Sequence, residues 1–233
     1  VKTLVVIPTY NERENVGALI ERVFHLTPET HILVVDDNSP DQTAEVVQGL
    51  QKRFSHLHLL VRPGKSGLGR AYVAGFQWGL ERKYERLVEM DADFSHRPED
   101  LVGILKAAES SDVVVGSRWV PGGGTVNWGL GRKIISKGGS LYSRWILGYP
   151  LTDWTGGFNA WKAEVLQALP IQEVLSEGYS FQIELKYKAL SKGFRVIEHP
   201  ILFEDRRVGQ SKMSSKIVFE ALYRVWKIRL ASI

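Results

Sequence analysis

The stretch Leu87-Val88-Glu89-Met90-Asp91-Ala92-Asp93-Phe94-Ser95-His96 decides the fold. Its apolar run ends at Met90 and is followed at once by two carboxylates with one residue between them. Read as a strand over 87–91, it puts Asp91 at the C-terminal end of the strand and Asp93 in the first turn beyond. Open α/β sheets bind their ligands at that edge. In extended geometry residues i and i+2 point the same way, so both acids face one point in space. Two hard anionic oxygens there suit Mg2+ or Mn2+, above all a cation shared with a diphosphate. A solvated turn with two acids is the plain alternative, because D-x-D alone is a common pattern.

Outward from this stretch the chain repeats one unit. Residues 3–8 are a near-continuous apolar run, the mark of a strand buried on both faces of a parallel sheet. Val16, Leu19, Ile20, Val23 and Phe24 then recur at helical spacing. Strands at 32–36, 57–61 and 113–116 follow, with helices after Asp41, after Gly67 and over 98–109. Asp41 or a neighbour serves as a helix cap. The alternation predicts an α/β fold, a Rossmann-like, mostly parallel central sheet flanked by helices, with right-handed crossovers. The polar pairs Tyr10/Glu12, Asp36/Asp37, Asp91/Asp93 and Ser117/Arg118 all follow strand ends, and so share one rim. That convergence points to a nucleotide-type crevice. A dinucleotide oxidoreductase does not fit, because the first βα turn, Pro8-Thr9-Tyr10-Asn11-Glu12, has no glycine. Gly67 and Gly69 read instead as a tight turn or a close backbone approach.

After Arg118 the texture changes. Residues 121–132 read as a mobile glycine-rich loop. A helix over 133–147 carries Ile134, Ile135, Leu141, Trp145, Ile146 and Leu147, and a turn at 152–158 leads to a short strand at 158–161. Helix 180–191, strand 195–198 and an apolar run at 201–203 follow, then a polar, basic segment from Asp205 to Met213. The last helix places Ile217, Val218, Ala221, Leu222, Val225 and Trp226 at helical spacing, with Lys216, Arg224, Lys227 and Arg229 largely elsewhere. This is the profile of a helix in a membrane interface, or of one packed on the domain.

The 233 residues allow one large domain or at most two small ones, and the composition, 44% hydrophobic and 24% charged, is that of a soluble globular protein. With no cysteine there is no disulfide framework or zinc–thiolate site, which fits a reducing, cytoplasmic setting. No apolar run is long enough for a membrane span, and the N-terminal segment reads as a core strand rather than a signal peptide. The net charge of +4 is carried by residues 195–233, where eight Lys/Arg face four Asp/Glu. Such a segment suits an anionic membrane or a phosphorylated substrate. No nucleic-acid-binding motif is present, so no nucleic-acid partner is expected.

Taken together, these stretches resemble the inverting glycosyltransferases of family 2 with the GT-A fold, and within them the dolichyl (polyprenyl) phosphate mannose synthases. The resemblance rests on residues 8–15, Val35-Asp36-Asp37-Asn38-Ser39-Pro40-Asp41, Gly67-Leu68-Gly69, residues 90–98 and Gly116-Ser117-Arg118. It continues through Trp128, Arg132-Lys133-Ile134-Ile135-Ser136, Asp153-x-Thr155-Gly156-x-Phe158 and Asp205-Arg206-x-x-Gly209-x-Ser211-Lys212-Met213. It implies a catalytic domain over 1–213 and a C-terminal amphipathic helix over 214–233. It implies GDP-mannose as donor, bound by Pro8, Tyr10, Glu12, Val35, Asp37, Asp91, Ala92, Arg206 and Lys212. A divalent metal would be held by Asp91, Asp93 and Ser95, and the acceptor phosphate by Arg118, Arg132 and Ser136. Asp93, Arg118 and Arg132 would carry the catalysis. The acceptor, a dolichyl or polyprenyl phosphate, is already anionic, so no catalytic histidine is expected, and His96 and His199 read as structural.

The same reaction with UDP-glucose or another UDP-sugar is the nearest alternative, and a non-catalytic sugar-nucleotide-binding subunit is one of another class. The resemblance also implies a peripheral protein on the cytoplasmic face of a membrane. Its anchor would be the last helix, a membrane-anchoring partner subunit, or transmembrane helices that this sequence does not include.

Overall fold

The computed structural model describes residues 1–173, 179–205 and 215–230. Its seven-stranded sheet is built around β1 (Thr3–Thr9), every residue of which is buried. β2 (His31–Asp36) and β4 (Arg86–Glu89) flank it in parallel, and β3 (Leu57–Val61) adds outside β2. On the other side β5 (Val113–Ser117) and β8 (Val196–Pro200) pair in parallel, while β7 (Asn159–Lys162) runs antiparallel between β4 and β5. The strand order is β3-β2-β1-β4-β7-β5-β8. The expected mostly parallel sheet is therefore present, with one antiparallel strand, β7, inside it.

Helices cover both faces. α1 (Arg13–Leu26), α2 (Thr43–Gln51) and α4 (Pro98–Ala107) seal one core with Val5, Ile7, Val34 and Val88. α3 (Leu68–Glu81), α5 (Leu130–Leu147), α6 (Ala163–Ala168), α7 (Tyr179–Ser191) and α8 (Ser215–Leu230) close the other, around Leu4, Val6, Trp154, Trp161 and Phe181. Burying each such large apolar side chain stabilises the fold by about 1.5–3 kcal/mol. α3 lies unusually close to the sheet: a Cβ at Gly79 would stand 2.7 Å from Leu87 Cδ2. Gly67, at φ +98°, makes the turn into that helix.

Two stretches differ from the sequence expectation. β4 ends at Glu89, so Asp91 already lies in the loop, although Met90 N–H still donates to Val6 O. The glycine-rich stretch is not a free loop. Its residues Gly124–Val126 form β6, paired in parallel with β9 (Leu202–Glu204), and α5 starts at Leu130 rather than 133. The final helix packs on α5 and α7, with Val225 and Ile228 inside the main core and Tyr223, Trp226 and Leu230 outside.

Candidate functional site

The rim at the C-terminal ends of β1, β2, β4 and β5 is shaped by residues in the left-handed region. Asn11 (φ 61°) and Asn38 (φ 54°) tolerate it, but Phe94 (φ 62°) does so at a cost of about 1–3 kcal/mol. Its ring is buried in the core, which offsets that strain and holds the Asp91–Ser95 turn in one shape.

Both carboxylates of that turn are oriented by neighbours. Tyr72 Oη–H donates to Asp91 Oδ1 at 2.8 Å. Burial, then the charges of Asp91 and Glu89, push the Tyr72 phenol well above its ordinary pKa, so it stays a donor. Asp91 N–H donates to His96 Nδ1 at 2.9 Å. The imidazole proton is therefore on Nε2, 4.0 Å from Asp91 Oδ2. Burial lowers the His96 pKa against the opposing pull of Asp91 and Asp93, which keeps the ring neutral. Asp93 Oδ1 accepts from Ser95 N–H at 3.0 Å, and Ser95 O accepts from Glu204 N–H on β9 at 3.1 Å. Ala92 and Ser95 are buried. Among the described residues no group of three or more His, Cys, Asp or Glu side chains could cage a metal ion. Two carboxylates and a serine suit instead a cation whose shell is completed by substrate phosphates and water, as Mg2+ and Mn2+ sites in nucleotide enzymes are.

The corner after β1 and β2 holds the residues expected at the nucleoside. Pro8 and Val35 are buried in the sheet, and Tyr10 is exposed with Lys65 Nζ 4.2 Å above its ring. Glu12 N–H donates to Thr43 Oγ1 at 3.1 Å, and Glu12 Oε2 accepts from Asn15 Nδ2 at 2.9 Å. Asp36 is a turn lock, taking Thr9 Oγ1–H at 2.7 Å and Ser39 N–H at 2.8 Å. Asp37 pairs with Arg62 Nε at 3.1 Å; burial raises its carboxyl pKa and the Arg62 charge opposes this. Arg206 and Lys212 lie outside the described residues.

The two arginines meet on one ring. Arg118, just past β5, and Arg132, in the first turn of α5, hold their guanidinium carbons 5.5 and 3.9 Å from the centroid of Trp128. Trp128 meets Phe203 edge-on at 5.3 Å, and Phe203 meets His96 at 5.4 Å. An aromatic bridge thus joins the acidic turn to the cations. Arg132 Nη1 donates to Asp205 Oδ1 at 2.7 Å, its Nε finds no partner among the described residues, and Ser136 follows one turn later on the same helical face.

Arg118 is buried, and its fork grips Asp153: Nε to Oδ2 at 2.7 Å and Nη2 to Oδ1 at 2.7 Å, with Nη2 also on Thr155 Oγ1. Burial alone would raise the Asp153 carboxyl, but the Arg118 charge and hydrogen bonds outweigh it and hold the acid below its usual range. Behind this pair, Glu89 accepts from Asn159 Nδ2, Trp161 Nε1 and Gln182 Nε2 at 2.8, 3.0 and 2.9 Å.

Strand-end position put Asp91, Asp93 and Arg118 on one rim, and the resemblance added Ser95, Arg132 and Ser136. In the structure Arg118 and Arg132 share the Trp128 ring, which Phe203 and His96 connect to the turn carrying Asp91, Asp93 and Ser95. Ser136 lies one turn beyond Arg132 on α5. Sequence reasoning missed the orienting roles of Tyr72, His96, Asp153, Phe203 and Asp205. Asp153 carried a signal, since a buried arginine requires a buried acid, but no spacing says which acid. Trp128 turns out to be the arginine platform, Trp154 is core, and Trp145 is 79% exposed.

The profile of glycosyl transferase family 2 matches residues 4–169. The chain is 48% identical over 232 residues to polyprenol monophosphomannose synthase of Mycolicibacterium smegmatis, covering 98% of this chain and 88% of that one. It is 47% identical over 231 residues to undecaprenyl-phosphate mannosyltransferase of Micrococcus luteus, covering 99% and 95%. Among solved structures it is similar to glucosyl-3-phosphoglycerate synthase of Mycobacterium tuberculosis, solved with Mn2+, UDP and glucosyl-3-phosphoglycerate. There the TM-score is 0.69 and the identity 17%, with 99% of this chain and 79% of that one covered. It is also similar to a mannosyltransferase of Pyrobaculum calidifontis solved with GDP-mannose and Mn2+, with a TM-score of 0.59 at 16% identity over 99% and 73% of the two chains.

Proposed function

The chain belongs to glycosyl transferase family 2, and on that premise we propose that it transfers mannose from GDP-mannose to a polyprenyl phosphate, with inversion, releasing GDP. The observation that carries this reading is the pair of guanidiniums on Trp128, joined through Phe203 and His96 to the Asp91–Asp93 turn. Cations on one side and metal-type oxygens on the other suit two phosphate-bearing substrates brought together.

Arg132 and Ser136 receive the acceptor phosphate, and Arg118, held by Asp153, adds positive charge beneath it. The attacking phosphate oxygen is anionic at neutral pH, so no base must deprotonate it. His96, neutral and with Nδ1 committed to Asp91 N–H, is placed to orient rather than to abstract. The anomeric C–O bond to the diphosphate breaks as the bond to the phosphate oxygen forms, through an oxocarbenium-like state. One displacement inverts the centre and gives a polyprenyl β-mannosyl phosphate. Mg2+ or Mn2+, bound through Asp91 and Asp93 with Ser95 beside them, would neutralise the departing diphosphate. Tyr10, Glu12 and Asp37 hold the nucleoside, and the resemblance assigns Arg206 and Lys212, outside the described residues, to the diphosphate.

A peripheral position on the cytoplasmic face of a membrane fits the outer face of α5. Leu130, Ile134, Leu141 and Trp145 are exposed along it, next to exposed Tyr223, Trp226 and Leu230 of α8. Among the described residues no helix is long and apolar enough to cross a bilayer. An interfacial pose lets the isoprenoid tail stay in lipid while its phosphate reaches Arg132.

The test is a turnover screen over GDP- and UDP-sugars with Mn2+ and a short-chain polyprenyl phosphate. GDP release from GDP-mannose that depends on both metal and acceptor is expected. Preference for a UDP-sugar would replace the donor, and no turnover with any polyprenyl phosphate would sink the reading. Activity surviving in Asp93→Ala would favour a non-catalytic binding role for this site.

A further inference from the structure

We infer that Lys186 and Glu198 are positioning residues that aim Arg118 at the acceptor phosphate by clamping the turn 152–156 from opposite sides. Glu198, on β8, takes the amide side of the turn. Its Oε2 accepts from Thr152 N–H at 2.9 Å, and its Oε1 accepts from Asp153 N–H at 2.9 Å and from the Thr152 hydroxyl at 2.6 Å. Lys186, on α7, takes the carbonyl side. Its Nζ donates to Asp153 O at 3.1 Å, Trp154 O at 3.2 Å and Gly156 O at 2.7 Å. An ammonium has three donors, and all three are spent on this one turn. Ser140 Oγ of α5 accepts the next amide along, Trp154 N–H, at 3.2 Å.

The Lys186 side chain is fully buried. An apolar residue of similar length would fill that space without taking a charge out of water, so the ammonium is costly for packing alone. What it supplies is the orientation of three carbonyls that no strand or helix ladder holds. With an acid on the N–H groups and an ammonium on the C=O groups, no peptide plane in the turn can rotate without breaking a grip. The product of that rigidity is the Asp153 carboxylate, which accepts Arg118 Nε, Nη2 and backbone N–H, and Gly156 N–H as well. The turn also has no room to slide: a Cβ on Gly156 would stand 3.0 Å from Gly116 O of β5. These hydrogen bonds of Lys186 and Glu198 all go to the turn itself, so both act through Asp153 and Arg118.

This rests on Arg118 serving the acceptor, so Arg118→Lys is measured beside Lys186→Met and Glu198→Gln. The readouts are kcat/KM for a short-chain polyprenyl phosphate, the Kd of GDP with Mn2+, and Tm. A loose Arg118 should lower acceptor kcat/KM about tenfold or more in Lys186→Met, and severalfold in Glu198→Gln, which keeps one acceptor oxygen. The Kd of GDP with Mn2+ should change less than about twofold, because that site lies across the rim. Donor and acceptor parameters falling together, or neither moving, would overturn the inference. An unaffected Arg118→Lys enzyme would instead overturn the acceptor role of Arg118 itself. Should Lys186→Met not fold, Glu198→Gln, which removes a grip from the partly exposed side, tests the same clamp by the same readouts.

Discussion

Replacing Asp153 by asparagine deletes the negative charge beneath Arg118 while keeping the shape. The native carboxylate accepts two N–H groups from the guanidinium and two from the backbone, and both side chains of the pair are almost wholly buried, at 3% and 0% exposure. An amide oxygen can keep only part of this set, and its NH2 would face the guanidinium donor to donor. Removing one partner of a buried ion pair costs roughly 3–5 kcal/mol. In a chain of 233 residues each kcal/mol moves Tm by about 2–4 °C, so Asp153→Asn should melt roughly 6–20 °C lower.

The double variant Arg118→Met/Asp153→Leu removes both charges, and buried pairs replaced by apolar residues of similar size often lose no stability. It should therefore recover much of the loss in thermal and urea unfolding while remaining defective with the acceptor. An Asp153→Asn protein melting within about 2 °C of the parent, or a double variant less stable than the single, would refute this reasoning.

Other perturbations test other parts. Tyr72→Phe removes the hydroxyl that orients Asp91; the Kd for Mn2+ with GDP should weaken about 10–100-fold, as for other residues that support metal ligands, and an unchanged titration would show that Tyr72 has no such role. His31, in a cluster with His56, His58 and Tyr84 on the opposite rim, has its pKa pushed down from 6.5 to about 4, by burial first and then by His56, His58 and Lys2. The folded state resists a proton that the unfolded chain accepts, so this stabilisation is complete above 6.5 and is lost as pH falls towards 4. The loss is on the order of 1–2 kcal/mol after allowance for solvent screening, and His31→Gln should flatten that part of the stability–pH curve. Trp145→Ser and Trp226→Ser should each lower binding to anionic vesicles about tenfold or more without moving Tm; unaltered sedimentation with vesicles would count against α5 and α8 as the membrane face.

The β-α-β half was legible because its strands are buried on both faces, leaving apolar runs bounded by turn chemistry. Asp91, Asp93 and the Asp36/Asp37 turn stood out for the same reason: each acid directly follows such a run. The second half was harder. β6 is three residues of Gly-Thr-Val whose partner, β9, lies almost eighty residues away, and a strand held by a distant partner leaves no local period. The Arg118–Asp153 pair depends on the same long-range closure. Both residues lay in stretches that matched the family, yet their mutual burial appears only once β5 and the turn before β7 are packed together. Trp128, Trp145 and Trp154 show the same limit: one indole is an arginine platform, one faces outward and one fills the core, and no spacing separates those fates.

The antiparallel strand inside the sheet, β7, bears on how the chain is made. A ribosome that has released residues up to Ser117 has delivered β1 to β5, yet β4 and β5 do not pair with each other, and both wait for β7. Until residues 159–162 emerge, two apolar strands present open edges to whatever is nearby. Pulse-labelled refolding should find the amides of β7 and β8 protected last. Synthesis is thus safest when the middle of the chain arrives without delay.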